Sequence, residues 1–180
     1  AYIIKKDQRF ITNSAIASMG YDLPAAIGAW TASRDKGCYS QGGDRSGEDL
    51  ILVTGDGSMQ MNLQELQTII HHRMGIKIFV INNGGYHSIR QTQKNFFGEP
   101  LIGIGVDSGD LSFPALDKLA AAYGYPYVSA RHNSELGEAV EKTLAAEGPA
   151  ICEVFVSMDQ NFEPKSSAKR LPDGTMAVSY

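Results

Sequence analysis

Two short stretches set oxygen-bearing residues among glycines, Gly55-Asp56-Gly57-Ser58 and Asn82-Asn83-Gly84-Gly85, and each closes an apolar run. Asp56 offers a hard carboxylate oxygen, Asn83 a neutral amide oxygen, and Gly85 a backbone carbonyl where a side chain would obstruct. Three oxygens on convergent loops leave three octahedral positions for two phosphate oxygens and a water, the arrangement Mg²⁺ prefers. Such an ion would clamp a diphosphate. The N–H groups of Gly57 and Ser58, at the start of a helix-bound segment, would hold the remaining phosphate oxygens. Taken singly, Asp-Gly is a common turn dipeptide, and Asn-Asn-Gly-Gly could simply supply residues at positive φ. The pairing argues for chemistry, because the 24 residues between Gly57 and Asn82 leave room for one crossover helix and one strand.

The elements that must position these residues follow from the apolar pattern. Residues 50–54 and 76–81 read as buried parallel strands, closed by the two glycine-rich turns. Between them, Asn62 is expected to cap a helix carrying Leu63, Leu66, Ile69 and Ile70, with Glu65 at the third helical position as in a capping box. A helix is expected over 86–94, and another opens at Ser112 or Phe113-Pro114 and runs through Leu116, Leu119 and Tyr123. Residues 125–129 predict a short strand, Asn133 a cap for a helix through Leu136, Val140 and Leu144, and residues 151–156 the last strand. Upstream, Pro24 suits the first turn of a helix through Ala25, Ile27, Gly28 and Trp30. The pattern is that of an α/β fold, a doubly wound, mostly parallel sheet with helices on both faces. In such a sheet ligands bind beyond the carboxyl ends of the strands, where both glycine-rich turns would lie.

Composition narrows the functional classes. At 180 residues the chain suits one domain, expected over 1–157, and residues 158–180 read as a tail without periodicity, mobile in an isolated domain. Residues 37–48, rich in Gly, Ser and charge, read as an exposed loop. Sixteen basic against twenty acidic residues give a net charge of −4 with no basic stripe, which argues against a nucleic-acid partner or an anionic membrane surface. The apolar stretches fall short of the ~20 residues that span a bilayer, and no signal segment is recognised, so a cytoplasmic location is expected. Cys38 and Cys152 cannot form a disulfide framework or a four-ligand zinc site by themselves and read as buried or loop thiols.

The spacing of Gly55-Asp56-Gly57 and Asn82-Asn83 resembles the fingerprint of thiamine-diphosphate enzymes. The segment from Ser58 through Met59-Gln60-Met61-Asn62-Leu63-Gln64-Glu65 to Leu66 is similar to the one that follows this aspartate in acetolactate synthase-like enzymes. Ala17-Ser18-Met19-Gly20-Tyr21-Asp22-Leu23-Pro24 resembles their cofactor loop and helix, and the likeness runs from about Thr12 into the tail, at Glu163-Pro164-Lys165 and 171–176. The resemblance implies the C-terminal, diphosphate-binding domain of such an enzyme, with thiamine diphosphate and Mg²⁺ as cofactors. It makes Asp56, Asn83 and the Gly85 carbonyl the metal ligands. It places Gly57 and Ser58 against the diphosphate, within a cofactor-binding set that includes Ala17, Ser18, Met19, Gly55, Tyr86 and His87. Met19 aligns with the bulky residue beneath the thiazolium ring, and the Ala17 carbonyl with the acceptor facing the pyrimidine amino group.

By the same resemblance the substrate is a 2-oxo acid that is decarboxylated and joined to an acceptor. A glutamate that activates the cofactor comes from a pyrimidine-binding domain of the same or a neighbouring chain. No catalytic residue is therefore assigned within these 180 residues, and the domain alone is expected to be inactive. It is expected to belong to a longer polypeptide or to act as a separate subunit, with a homodimer or homotetramer for the full-length protein. Two alternatives stay open, a subunit of a split 2-oxo acid decarboxylase acting on sulfopyruvate or phosphonopyruvate, and a non-catalytic nucleotide-binding α/β module. A nicotinamide-binding domain is disfavoured, because no G-x-G-x-x-G follows a strand with an acidic residue about 20 positions on. The segment from Gly84 to Gln93 departs from the bulkier one of acetolactate synthases, so the resemblance does not fix the 2-oxo acid. His87 and Ser88 suit a phosphate or substrate contact as well as a cap, and Arg90 a substrate carboxylate or a solvated helix face. Tyr86, Phe96 and Phe97 suit an access channel or a cover for the core.

Overall fold

A computed structural model describes residues 3–6, 8–13, 16–34, 50–160 and 167–179. Its elements in order are α1 (Asp22–Arg34), β1 (Leu50–Gly55), α2 (Asp56–Gln60), α3 (Glu65–His71), β2 (Ile76–Asn82) and α4 (His87–Phe96). There follow α5 (Leu116–Tyr123), β3 (Tyr127–Ala130), α6 (Asn133–Ala145), β4 (Ala150–Phe155), β5 (Ser167–Arg170) and β6 (Met176–Ser179). The first four strands form one parallel sheet in the order β1-β2-β4-β3, with Gly55 opposite Ile81 and Asn82 opposite Phe155.

Residue alternation along β2 decides which helix covers which face. Ile76, Ile78 and Val80 join Leu23 of α1, Leu66 and Ile69 of α3, and Leu116 and Ala120 of α5 in the larger core. Phe79 points the other way, to Ala139 of α6 with Ala130 and Cys152. Each fully buried side chain of the Ile78 kind contributes about 1.5–3 kcal/mol, so the larger cluster dominates cohesion. The chain crosses the sheet in one direction from β1 to β2 to β3 and then turns back to β4. With crossovers of a single hand, that reversal must move the connecting helix to the opposite face, where α6 is found. The expected α/β class with helices on both faces is thus what the chain adopts.

A buried lysine sits in this sheet. Lys77 of β2 is inaccessible to solvent, and its ammonium donates to the carbonyls of Ala146 and, at 2.6 Å, Gly148, just past the end of α6. These carbonyls lack intrahelical partners, and a cation there also suits the negative end of the helix. At the sheet edge, Ile51 and Val53 of β1 face outward and are exposed.

Several local expectations change. Asn62 does not cap a helix: α3 starts only at Glu65, and the Asn62 amide instead donates to the Gly20 carbonyl at 2.5 Å. That long-range bond outcompetes the local cap because it satisfies a backbone group in another segment. For α6 the cap position is His132 rather than Asn133, and Glu135 reaches back to accept from the Arg131 and His132 N–H groups at 2.7 and 3.1 Å. In the tail, where no periodicity is visible, β5 and β6 pair antiparallel, Arg170 opposite Met176, around Leu171-Pro172-Asp173-Gly174. Cys152 is buried, and burial pushes its thiol pKa up. Cys38, the loop at 37–48 and Glu163-Pro164-Lys165 lie outside the described residues.

Candidate functional site

No loop separates β1 from the helix that follows. Gly55 is the last strand residue and the N-cap of α2, and Asp56 is the first helical one, so the sheet itself sets the position of its carboxylate. Asp56 is 8% exposed. Its Oδ1 accepts from the Gly57 N–H at 2.9 Å and its Oδ2 from the Gly85 N–H at 2.9 Å. The second bond joins the two glycine-rich turns directly across 29 residues. Burial pushes the Asp56 carboxyl above the ordinary range, against the opposing pull of the Gly57, Gly85 and Gly84 N–H groups and the charge of Arg90. Each carboxylate oxygen keeps acceptor capacity beyond its one N–H. A desolvated anion so placed favours a cation.

The turn after β2 is held from two sides. Asn82 accepts from the Gly84 N–H at 3.0 Å, and its amide donates at 2.6 Å to Glu153, a buried β4 carboxylate that also accepts from the Tyr127 hydroxyl. Arg90 of α4 donates to the carbonyls of Asn83 at 3.2 Å and Gly84 at 3.1 Å. With the backbone so fixed, the Asn83 side-chain oxygen is buried and has no hydrogen-bond partner. A buried acceptor left unmet costs roughly 1–3 kcal/mol, which a ligand at that position would recover. Gly85, at φ +142°, lies so close to the next segment that an added Cβ would sit 2.1 Å from the Ile104 carbonyl oxygen. Its own carbonyl accepts from the His87 N–H at 3.1 Å and retains a second lone pair.

A third stretch joins these two. The Gly20 N–H donates to Ser58 Oγ at 2.9 Å, and with the Asn62 bond this fastens the turn holding Ala17, Ser18 and Met19 to the start of α2. Ala17 takes a positive φ of 51°, costly for a residue with a Cβ, and Met19 is 40% exposed. Tyr86, the N-cap of α4, lays its ring over Gly57, where a Cβ would come within 2.5 Å of it, and meets Phe113 edge-on at 5.7 Å. His87 is buried one residue on. The structure therefore brings Ala17 to Met19, Gly55 to Ser58, Asn83, Gly85, Tyr86 and His87 into three contiguous stretches at the carboxyl end of the sheet.

Other sequence readings change here. Arg90 is 1% exposed, so it presents neither a solvated helix face nor a fork for a substrate carboxylate. The three aromatic residues do not act together as a cover: Tyr86 packs on Gly57 and Phe113, and Phe97 is 79% exposed. The Gly57 N–H is engaged by the neighbouring Asp56 carboxylate. Residue types and spacing give no reason to single out Glu153 or Tyr127. Asn82 had one available signal, its place in the Asn pair. Among the described residues no group of three or more His, Cys, Asp or Glu side chains is placed to hold a metal, and no helix is long and apolar enough to cross a membrane.

Residues 1–154 match the family described as thiamine pyrophosphate enzyme, C-terminal TPP binding domain. The chain is 33% identical over 166 residues to the acetolactate synthase large subunit of Cyanidium caldarium, covering 91% of this chain and 26% of that protein. It is 32% identical over 159 residues to the acetolactate synthase large subunit of Porphyra purpurea (88% and 24%), and 31% identical over 157 residues to the acetolactate synthase of Arthrospira platensis (87% and 24%). It spans about a quarter of the length of these relatives. Fold, turn geometry and similarity together make this chain a member of the thiamine pyrophosphate enzyme family, corresponding to its C-terminal cofactor-binding domain.

Proposed function

We propose that the two glycine-rich turns hold Mg²⁺ and, through it, the diphosphate of thiamine diphosphate, as one part of an acetolactate synthase-like enzyme acting on 2-oxo acids. The observation that carries this reading is the buried, unpartnered Asn83 Oδ1 on a turn bonded directly to the desolvated Asp56 carboxylate. A hard anionic oxygen, an amide oxygen and the Gly85 carbonyl form a donor set suited to Mg²⁺, which keeps further positions for phosphate and water. Ser58 accepts from Gly20 and retains its own proton to donate to a phosphate oxygen, beside Gly57.

Exposed Met19 and the positive-φ turn at Ala17 supply the surface on which the rings of the cofactor would lie, with Ser18 between them. Gly55 fixes the start of α2, and Tyr86 and His87 close the site on the α4 side. Once bound, thiamine diphosphate supplies the electron sink for decarboxylation and carboligation, while the protein supplies position and charge. The activating glutamate comes from a pyrimidine-binding domain of the same or a neighbouring chain, in a homodimer or homotetramer located in the cytoplasm.

Titration calorimetry tests the reading. Thiamine diphosphate with Mg²⁺ is expected to bind, whereas thiamine with Mg²⁺, or thiamine diphosphate with a chelator, is not. Equal heats for thiamine and its diphosphate would remove the basis for a diphosphate site.

A further inference from the structure

The guanidinium of Arg90 has five N–H bonds, and the structure provides five acceptors. Nε and Nη2 form a forked pair with Asp107, at 2.8 Å to Oδ2 and 2.9 Å to Oδ1. The second Nη2 proton goes to the Gly84 carbonyl at 3.1 Å, and Nη1 serves the Asn83 carbonyl at 3.2 Å and His87 Nδ1 at 3.4 Å. A guanidinium only donates, so in the last contact His87 Nδ1 is the acceptor. All this happens at 1% exposure.

We infer that Arg90 is a positioning residue for the cation site, holding the Asn83-Gly84 backbone so that the Asn83 side-chain oxygen stays aligned for Mg²⁺, with Asp107 neutralising its charge. The inference rests on the diphosphate–Mg²⁺ reading above. The geometry supports it in two ways. The carbonyls of two successive peptide units, Asn83–Gly84 and Gly84–Gly85, are pinned by one rigid group, which fixes the backbone that leaves the Asn83 Cα and with it the direction of the Asn83 side chain. Asp107 is also the anion that allows a permanent cation to lie behind a divalent ion site; its carboxyl is held below the ordinary range chiefly by the Arg90 hydrogen bonds. A lysine brings three donors on a single nitrogen and cannot span the Asp107 fork and both carbonyls at once.

The experiment compares wild type, Arg90→Lys and Asp107→Asn in the full chain. Mg²⁺ affinity is read by calorimetry as Mg²⁺ is titrated into the chain with a fixed excess of thiamine diphosphate, well below each midpoint of thermal unfolding measured without ligand. Both variants are expected to weaken Mg²⁺ roughly 10–100-fold, the range for residues that orient metal ligands. A variant that unfolds at a lower temperature yet binds Mg²⁺ with wild-type affinity would make the role of Arg90 purely structural and overturn the inference. Should Arg90→Lys not fold, Asp107→Asn decides alone, because Asp107 keeps 22% of its side-chain surface exposed and tolerates an isosteric change. A wild-type chain without Mg²⁺-dependent binding would instead overturn the parent reading, and this inference with it.

Discussion

Replacing Asp56 by Asn separates ligand binding from folding, because the two effects of the change differ in size and sign. In the unliganded chain the amide oxygen still accepts from one of Gly57 and Gly85, while the other N–H meets an NH₂ group, a loss of about 1–3 kcal/mol. Against this, the desolvated charge vanishes, and with it the burial cost that raises the Asp56 pKa. The two terms oppose, so the unliganded midpoint is expected to move by only a few degrees. With Mg²⁺ and thiamine diphosphate at ~100 times Kd, wild type gains about 2.7 kcal/mol. For a chain of this size that is about 5–11 °C, at ~2–4 °C per kcal/mol. Losing the carboxylate ligand is expected to weaken binding at least ~100-fold, since even residues that only orient ligands cost ~10–100-fold. The same ligand concentration then equals Kd and stabilises by only about 0.4 kcal/mol, or ~1–2 °C. Scanning calorimetry with and without the pair of ligands measures both quantities. If Asp56→Asn keeps the wild-type increment, the assignment of this carboxylate to the metal is wrong, and a collapse of the unliganded protein would refute the claim that burial burdens it.

Two further outcomes are expected. Gly85→Ala forces a Cβ to within 2.1 Å of the Ile104 oxygen at φ +142°, which should cost about 3 kcal/mol or more in a urea titration; a loss under ~0.5 kcal/mol would contradict the close approach. The Asp107 pKa is depressed by Arg90, so its contribution to stability is present above the ordinary carboxylate pKa and is lost as pH falls through the depressed folded value. Asp107→Asn should therefore flatten the acid limb of a stability–pH profile, and an unchanged limb would show that the pair does not couple to folding.

The strands and helices were legible because their apolar residues repeat with the right period, as at Ile76, Ile78 and Val80 on one face of β2 and Leu66 and Ile69 in α3. The two turns were legible because Gly, Asp and Asn cluster at strand ends. What escaped depends on partners distant in sequence. Asn62 bonds Gly20 across 42 residues, Asn82 bonds Glu153 across 71, and Arg90 bonds Asp107 across 17, and no local spacing encodes such choices. Arg90 is the clearest case, since charge and helical position both suggested solvent. A five-acceptor cage built from the Asn83 and Gly84 carbonyls, His87 and both Asp107 oxygens makes burial affordable. The tail hairpin escapes the sequence pattern because Ser167-Ala168-Lys169-Arg170 carries no apolar run, whereas the equally short β3 lies in a tyrosine- and valine-bearing one.

The direct passage from β1 into α2 bears on which ion the site would favour. A carboxylate carried on a mobile loop can swing outward and welcome a large ion with many ligands. One rooted where a sheet becomes a helix has no slack to give. Such stiffness penalises Ca²⁺, which wants six to eight oxygens at longer range, and rewards the smaller ion that accepts few protein ligands in a near-ideal octahedron. Ion discrimination would then be a property of the backbone junction at Gly55 as much as of the oxygens themselves.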